Sequence, residues 1–243
     1  MRTRILLSIL PLLLLTVAHG APPDVVYLFD DIDRPMEAVD AGHITRDIKL
    51  TAGSHISEEE PRFGKGSLLI QGGQRAATAG WYAPLESVLE FADETEKMTM
   101  TLWIRATEVG SVPLVRRSQF SGKDPGTFGF HLDGVGRLVF SIDKQKVQSA
   151  PIGLQAGQWT HLAVTFDKGA VIFYVNGEEA ASMPIEVEKV PMASLKGSFS
   201  GFLNAPVGLF ADDFGFFGNR TLTADDIKQL YQEGLEKWMQ KKQ

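Results

Sequence analysis

Catalysis needs side chains that attack, transfer protons or hold a metal, and this sequence is sparing with them. Its 243 residues contain no cysteine, which removes thiol nucleophiles, cysteine-ligated zinc and redox work together. Sugar hydrolysis by paired carboxylates needs two acids facing one side of one strand, hence two or four positions apart. No strand-like stretch holds such a pair. Glu58-Glu59-Glu60 runs into Pro61 and reads as a solvated loop, and Glu186 and Glu188 alternate correctly but stand among Pro184, Lys189 and Pro191. Gly-x-Ser-x-Gly and His-Glu-x-x-His are absent. His131 and His161 could pair, but two histidines alone do not define a site. The sequence therefore predicts no catalytic residue.

Binding chemistry is better supplied. Trp103, Arg105, His131, Asp133, Arg137, Trp159 and His161 all fall on the polar or mixed sides of alternating segments. If those segments share one concave sheet, the residues line a groove. Aromatic plates there would stack on sugar rings while polar groups meet the hydroxyls. Trp81 and Tyr82, near Gly72-Gly73 and Gly80, could form its rim. The candidate ligand residues are thus Trp103, Arg105, His131, His161, Trp81 and Tyr82. The competing reading is structural: Trp103 and Trp159 pack against loops or a terminal helix, as large aromatics usually do. For Trp81 and Tyr82 the competing reading is ordinary strand packing.

The elements that must position these residues read as strands. Segments 25–29, 67–71, 77–82, 98–106, 112–116, 127–133, 137–142, 159–166, 171–176, 179–183 and 207–217 are short, apolar or alternating, and separated by turn residues. Met98, Met100, Leu102 and Ile104 share one side of their strand; Phe128, Phe130 and Leu132, then Leu138, Phe140 and Ile142, then Leu162, Val164 and Phe166 do the same in theirs. One oily and one mixed side per strand predicts an all-β, two-sheet antiparallel sandwich. Asn176-Gly177, Asp133-Gly134-Val135-Gly136 and Asp167-Lys168-Gly169 read as hairpin turns. The same alternation puts Asp212 on one side with Phe210, Phe214 and Phe216, pointing inward. Near the end, Thr223 with Asp226 makes a capping box, and Leu222 with Ile227 a hydrophobic staple. A short C-terminal helix should follow, ending near Gly234 and leaving a frayed tail over 235–243.

Three ordered stretches resemble one known family. The first runs from Ala156-Gly157-Gln158-Trp159 through His161 to Asp167, then from Phe173 to Asn176-Gly177. The second runs from Asp212-Asp213-Phe214 through Asn219-Arg220-Thr221 to Ile227 and Leu230-Tyr231. The third is Tyr27-Leu28-Phe29-Asp30 with Phe63-Gly64-Lys65-Gly66-Ser67-Leu68. Together they resemble the concanavalin A-like lectin/glucanase superfamily, in its laminin-G-like jelly-roll branch. Family members usually carry Arg where Gly215 stands. The resemblance implies a jelly roll with a structural calcium where its first and last strands meet, at positions matching Asp30 and Asp212. A hard cation takes several oxygens, and backbone carbonyls can complete the set. The alternative is that both aspartates accept backbone hydrogen bonds.

Residues 1–20 have the three-part layout of a secretory signal: Arg2 and Arg4, an apolar run over 5–17, then Ala18-His19-Gly20. An uncleaved anchor is the alternative. Removing these twenty of 243 residues leaves 223, enough for one large domain over 25–234 after a linker at 21–24. It also takes the formal charge from −6 to −8, which disfavours nucleic acid and anionic membranes as partners. Asn219-Arg220-Thr221 fits a glycosylation sequon. The expectation is an exported non-catalytic binding module, periplasmic, secreted or at the cell surface, taking a glycan or an envelope protein. A structural or adhesion component without a sugar site is the second reading, and a polysaccharide-active enzyme the third.

Overall fold

The computed structural model describes residues 24–39, 41, 48–72, 81–84, 94–119, 127–191, 197–202 and 205–242, with 38, 48–49, 81–84, 118–119, 191 and 197–199 described by backbone alone. The expected signal sequence, residues 1–20, and most of the expected linker fall outside these residues. No helix among them is long and apolar enough to cross a membrane.

Two antiparallel sheets form the body. The eight-stranded sheet runs in the order Glu178–Pro184, Ala170–Val175, Thr160–Asp167, Lys97–Ala106, Leu209–Phe217, Ser67–Ile70, Ser54–Ser57, and Val25–Tyr27 also pairs with Leu209–Phe217. The six-stranded sheet runs Gln145–Pro151, Arg137–Ile142, Phe128–Leu132, Val112–Gln119, Gly197–Gly201, Trp81–Pro84. The expected alternation holds. Met98, Met100, Leu102 and Ile104 from one sheet meet Phe128, Phe130, Leu138 and Phe140 from the other in one buried core. Burying a side chain of this size is worth about 1.5–3 kcal/mol, so this shared layer is what holds the sheets face to face.

The turns obey their residues. Asn176 (φ 50°) and Gly177 (φ 81°) join two strands of the large sheet as an Asn-Gly hairpin. Lys168 (φ 46°) and Gly169 (φ 87°) make the turn before them.

The C-terminus departs from expectation. Helix α1 (Ala224–Glu233) has the full capping box: Thr223 Oγ1 accepts from Asp226 N–H, and Asp226 accepts from Thr223 N–H. The tail after Gly234 does not fray. It forms helix α2 (Leu235–Lys242), with Leu235, Trp238 and Met239 buried. Gly234, at φ 81°, is the corner between two helices. Both helices lie on the outer face of the eight-stranded sheet and make a second core there with Val26, Ala163, Tyr174 and Phe217. A Cβ on Gly215 would come within 3.1 Å of Leu235. The family's usual arginine is excluded at this point because α2 sits directly on the strand.

Candidate ligand-binding site

Alternation sorts the sides of each strand but not the sheets to which strands belong, and this decides the fate of the expected groove. Trp103, Arg105 and His161 stand on the eight-stranded sheet, whereas His131 stands on the six-stranded one. Their outward sides are opposite faces of the sandwich, so no single groove contains them.

The Trp103 face is covered. Trp103 is only 2% exposed. Tyr231 of α1 stacks on it at 5.4 Å, Phe63 meets it edge-on at 5.7 Å, and the Arg62 guanidinium lies 4.3 Å over its ring. His161 packs beside it at 5.3 Å and shares a 2.7 Å hydrogen bond with Thr101 Oγ1. Burial, with Arg62 nearby, pushes the His161 pKa down to about 3. Arg105 donates to the Gly157 carbonyl at 2.8 Å and pairs with Glu60. These residues fasten the Pro61–Phe63 loop and α1 to the sheet; none offers a free sugar platform. For Trp103 the structural reading is therefore the one realised. Trp159 is half-buried at the start of the same region. Trp81 and Tyr82 lie in the edge strand of the other sheet, where Tyr82 pairs with Ser200; their side chains are outside the described residues.

The expected inward path of Asp212 is corrected by a bulge. The pairing of Leu209–Phe217 with Lys97–Ala106 shifts register between Asp212 and Gly215, which inserts a residue and reverses parity. Phe214 and Phe216 face the main core, while Asp212 pairs with Trp103 and turns toward the 61–63 loop. Its Oδ2 accepts from Arg62 N–H (2.9 Å) and Phe63 N–H (3.1 Å), and its Oδ1 from Asp213 N–H (2.9 Å). Asp30 Oδ1 accepts from Lys65 N–H (2.6 Å) and Gly66 N–H (3.1 Å). Asp213 Oδ2 accepts from Leu235 N–H at 2.7 Å. The acids thus tie one loop and α2 to the first and last strands. Burial, then the adjacent Asp213, raises the Asp212 carboxyl well above the ordinary carboxylate range. Burial pushes Asp213 up to about 7, with Asp30 adding to the rise. Oxygen donors that repel one another suit a hard cation in their chemistry. Among the described residues, however, no three acidic or histidine side chains converge as a metal-binding group, so carbonyls would have to complete any shell.

With α1 and α2 on the large sheet, the outer face of the six-stranded sheet is the one that carries a groove of about 580 Å³. Antiparallel partners share a face, so the register places Ser141, Gly129, Arg116 and Ser200 in one row across four strands. Gly129 is the floor: a Cβ there would point into the groove and meet Ser141 Oγ at 3.2 Å. His131, two residues along, lines the same groove. Burial lowers its pKa, with Asp133 opposing and Lys146 assisting, so at neutral pH its ring is uncharged and can both donate and accept. Asp133 is itself held by Arg137, Nε to Oδ2 at 2.7 Å. Asp143 is the one carboxylate among the described lining residues, and its Oδ1 accepts from Thr127 N–H at 2.9 Å. Glycosidase chemistry requires two carboxylates across the bond; the described lining residues supply one. Sequence reasoning found His131 but missed Gly129 and Arg116. A lone glycine inside a strand was the available signal, because it marks close approach of a ligand or backbone.

A family model described as the concanavalin A-like lectin/glucanases superfamily matches residues 77–228, more than half of the chain. The chain belongs to this superfamily. No curated protein matches it in sequence. Among solved structures, the concanavalin A-like fold is shared with domain 4 of AbnA, a GH43 extracellular arabinanase from Geobacillus stearothermophilus, in complex with arabinotriose. That match has a TM-score of 0.64 at 19% identity, over 87% of this chain and 98% of that one. The binding domain of botulinum neurotoxin serotype G matches with a TM-score of 0.63 at 13% identity, over 86% of this chain and 50% of that one. The receptor binding domain of botulinum neurotoxin D gives 0.64 at 12% identity, over 86% and 52%. The chain spans about half the length of the toxin domains it matches. At these identities the likeness is one of fold.

Proposed function

We propose that this chain is an exported, non-catalytic binding module that holds a carbohydrate in the groove over Gly129. The observation that carries the reading is the asymmetry of the two sheet faces. One outer face is packed beneath α1 and α2, and the other carries a polar, glycine-floored groove with His131, Ser141 and Arg116 along it. Hydroxyls, a neutral imidazole and backbone groups are the donors and acceptors that sugar hydroxyls need. The AbnA domain, which shares the fold, was solved with an arabinose oligosaccharide; this supports a sugar as the ligand class here. The test is Gly129→Val. Gly129 lies mid-strand and its φ is not positive, so valine should be accepted once the Ser141 hydroxyl, 3.2 Å from the new Cβ, gives by a few tenths of an ångström, while its side chain fills the floor. Wild type should bind an oligosaccharide from a broad panel and the variant should lose at least about tenfold in affinity, the order of one good hydrogen bond to a charged group. A folded variant that binds as well as wild type removes the groove from the account. Binding of one envelope protein in place of any sugar would favour the structural or adhesion reading.

A Ca²⁺ ion held by Asp30 and Asp212 is part of the same proposal. The mutual repulsion of Asp212, Asp213 and Asp30 supports it, since a cation would relieve that repulsion. Calcium should raise the melting temperature and EDTA lower it, and Asp212→Asn should abolish the difference. A melting temperature indifferent to both would leave the aspartates as loop anchors alone.

A further inference from the structure

We infer that the groove selects an anionic saccharide, one carrying carboxylate or sulfate groups, through Arg116 and Lys146. The inference rests on the groove reading above and names its ligand class. Lys146 pairs in register with Ser141, Ser141 with Gly129, and Gly129 with Arg116. The two cations therefore bracket the bare floor in one transverse row. At about 4.8 Å between neighbouring strands, they stand roughly 14 Å apart across it, so separate charges on one extended chain can meet each of them.

Both cations are exposed, and neither makes an ion pair among the described residues. Most of the other exposed cations differ, although Lys65, Lys144 and Lys237 likewise make no ion pair among the described residues. Lys97, Lys168, Lys189 and Lys228 each sit on a carboxylate, as do Arg34, Arg105 and Arg137. In a chain of net charge −6, acids are in excess, so two cations that flank one groove and make no ion pair among the described residues stand out. The one carboxylate among the described lining residues does not cancel them. Asp143 is engaged by Thr127 and faces the buried Arg117, whose charge it favours against burial. Arg116 presents a planar fork that matches a carboxylate or sulfate in two parallel hydrogen bonds. Lys146 adds a mobile point charge at the opposite rim.

The experiment measures affinity of the full-length protein for polygalacturonate, a sulfated dextran and neutral dextran and arabinan, at low and high salt. At least one anionic polymer should bind about tenfold or more tightly than the neutral ones, and the gap should shrink as salt rises. Arg116→Gln and Lys146→Gln should each lower anionic affinity several-fold and together by about tenfold or more, narrowing the gap between anionic and neutral polymers. Lys237→Gln, on the exposed side of α2, is the charge-matched control and should change nothing. Preference for carboxylate over sulfate, or the reverse, identifies the charged group. Equal binding of neutral and anionic sugars overturns this inference but leaves the binding module standing. Equal weakening by Lys237→Gln overturns it as well, because the attraction would then be general charge. Binding of no sugar at all overturns the groove reading itself.

Discussion

Replacing His161 with glutamine should change the way stability depends on pH, by an amount the structure fixes. The imidazole is sealed beneath Trp103, Tyr231 and Arg62 and its Nδ1 has no hydrogen-bond partner among the described residues, so the folded protein resists its protonation down to a pKa of about 3. The unfolded chain protonates the same ring near 6.5. The folded pKa is depressed, so the stabilising contribution is complete above 6.5 and is lost as pH falls toward 3. Between pH about 7.5 and about 5 the loss amounts to about 2 kcal/mol, from roughly 1.4 kcal/mol per unit below 6.5. Asp213 acts in the opposite sense. Its folded pKa is raised to about 7, so its contribution is complete below the ordinary carboxylate value and is lost as pH rises through 7. Wild type alone would show a partly cancelled profile. The difference between wild type and His161→Gln removes the aspartate, which both proteins share. Urea unfolding at the two pH values should show the wild-type advantage shrinking by about 2 kcal/mol on acidification. A difference that stays constant with pH would mean that His161 titrates freely when folded, and that α1 does not seal this face.

Other outcomes follow from the same packing. Trp103→Ala should destabilise the fold by about 3–5 kcal/mol in urea unfolding while leaving sugar affinity unchanged, since its ring supports Tyr231 and Phe63. Trp238→Ala should act alike, because α2 is anchored through Trp238 edge-on to Phe217 at 5.6 Å. Thr223→Ala removes the α1 cap and should cost about 1 kcal/mol, read as a lower denaturation midpoint with an unchanged slope.

Much of the fold was legible because strand chemistry is periodic. Met98 through Ile104 and Leu162 through Phe166 alternate so cleanly that their core sides could be named, and Asn176-Gly177 can hardly be anything but a tight hairpin. Two edge strands were illegible for the reciprocal reason: Ser54–Ser57 and Gln145–Pro151 are polar, with few inward positions to mark. Helix α2 was hidden by Gly234, which ends one helix but also turns the corner into the next. Its buried face is only Leu235, Trp238 and Met239 within eight residues, a short signal.

The site was harder to read for a different physical reason. Alternation carries no information about which sheet a strand joins, so His131 and His161 looked like neighbours and lie on opposite faces. The bulge at Asp212 shows the same limit, since one inserted residue reverses every facing after it. What distinguishes the proposed groove is an absence of side chain at Gly129 between Arg116 and Ser141, visible only once the register is known.

The most direct test of the central claim is a chemical-shift map of the isotope-labelled protein titrated with a bound oligosaccharide. The shifts should concentrate at Arg116, Gly129, His131, Ser141 and Lys146, with Trp103 and Tyr231 unmoved. Shifts gathered at Trp103, His161 and α1 would contradict it, for the ligand would then occupy the face that the helices are said to close.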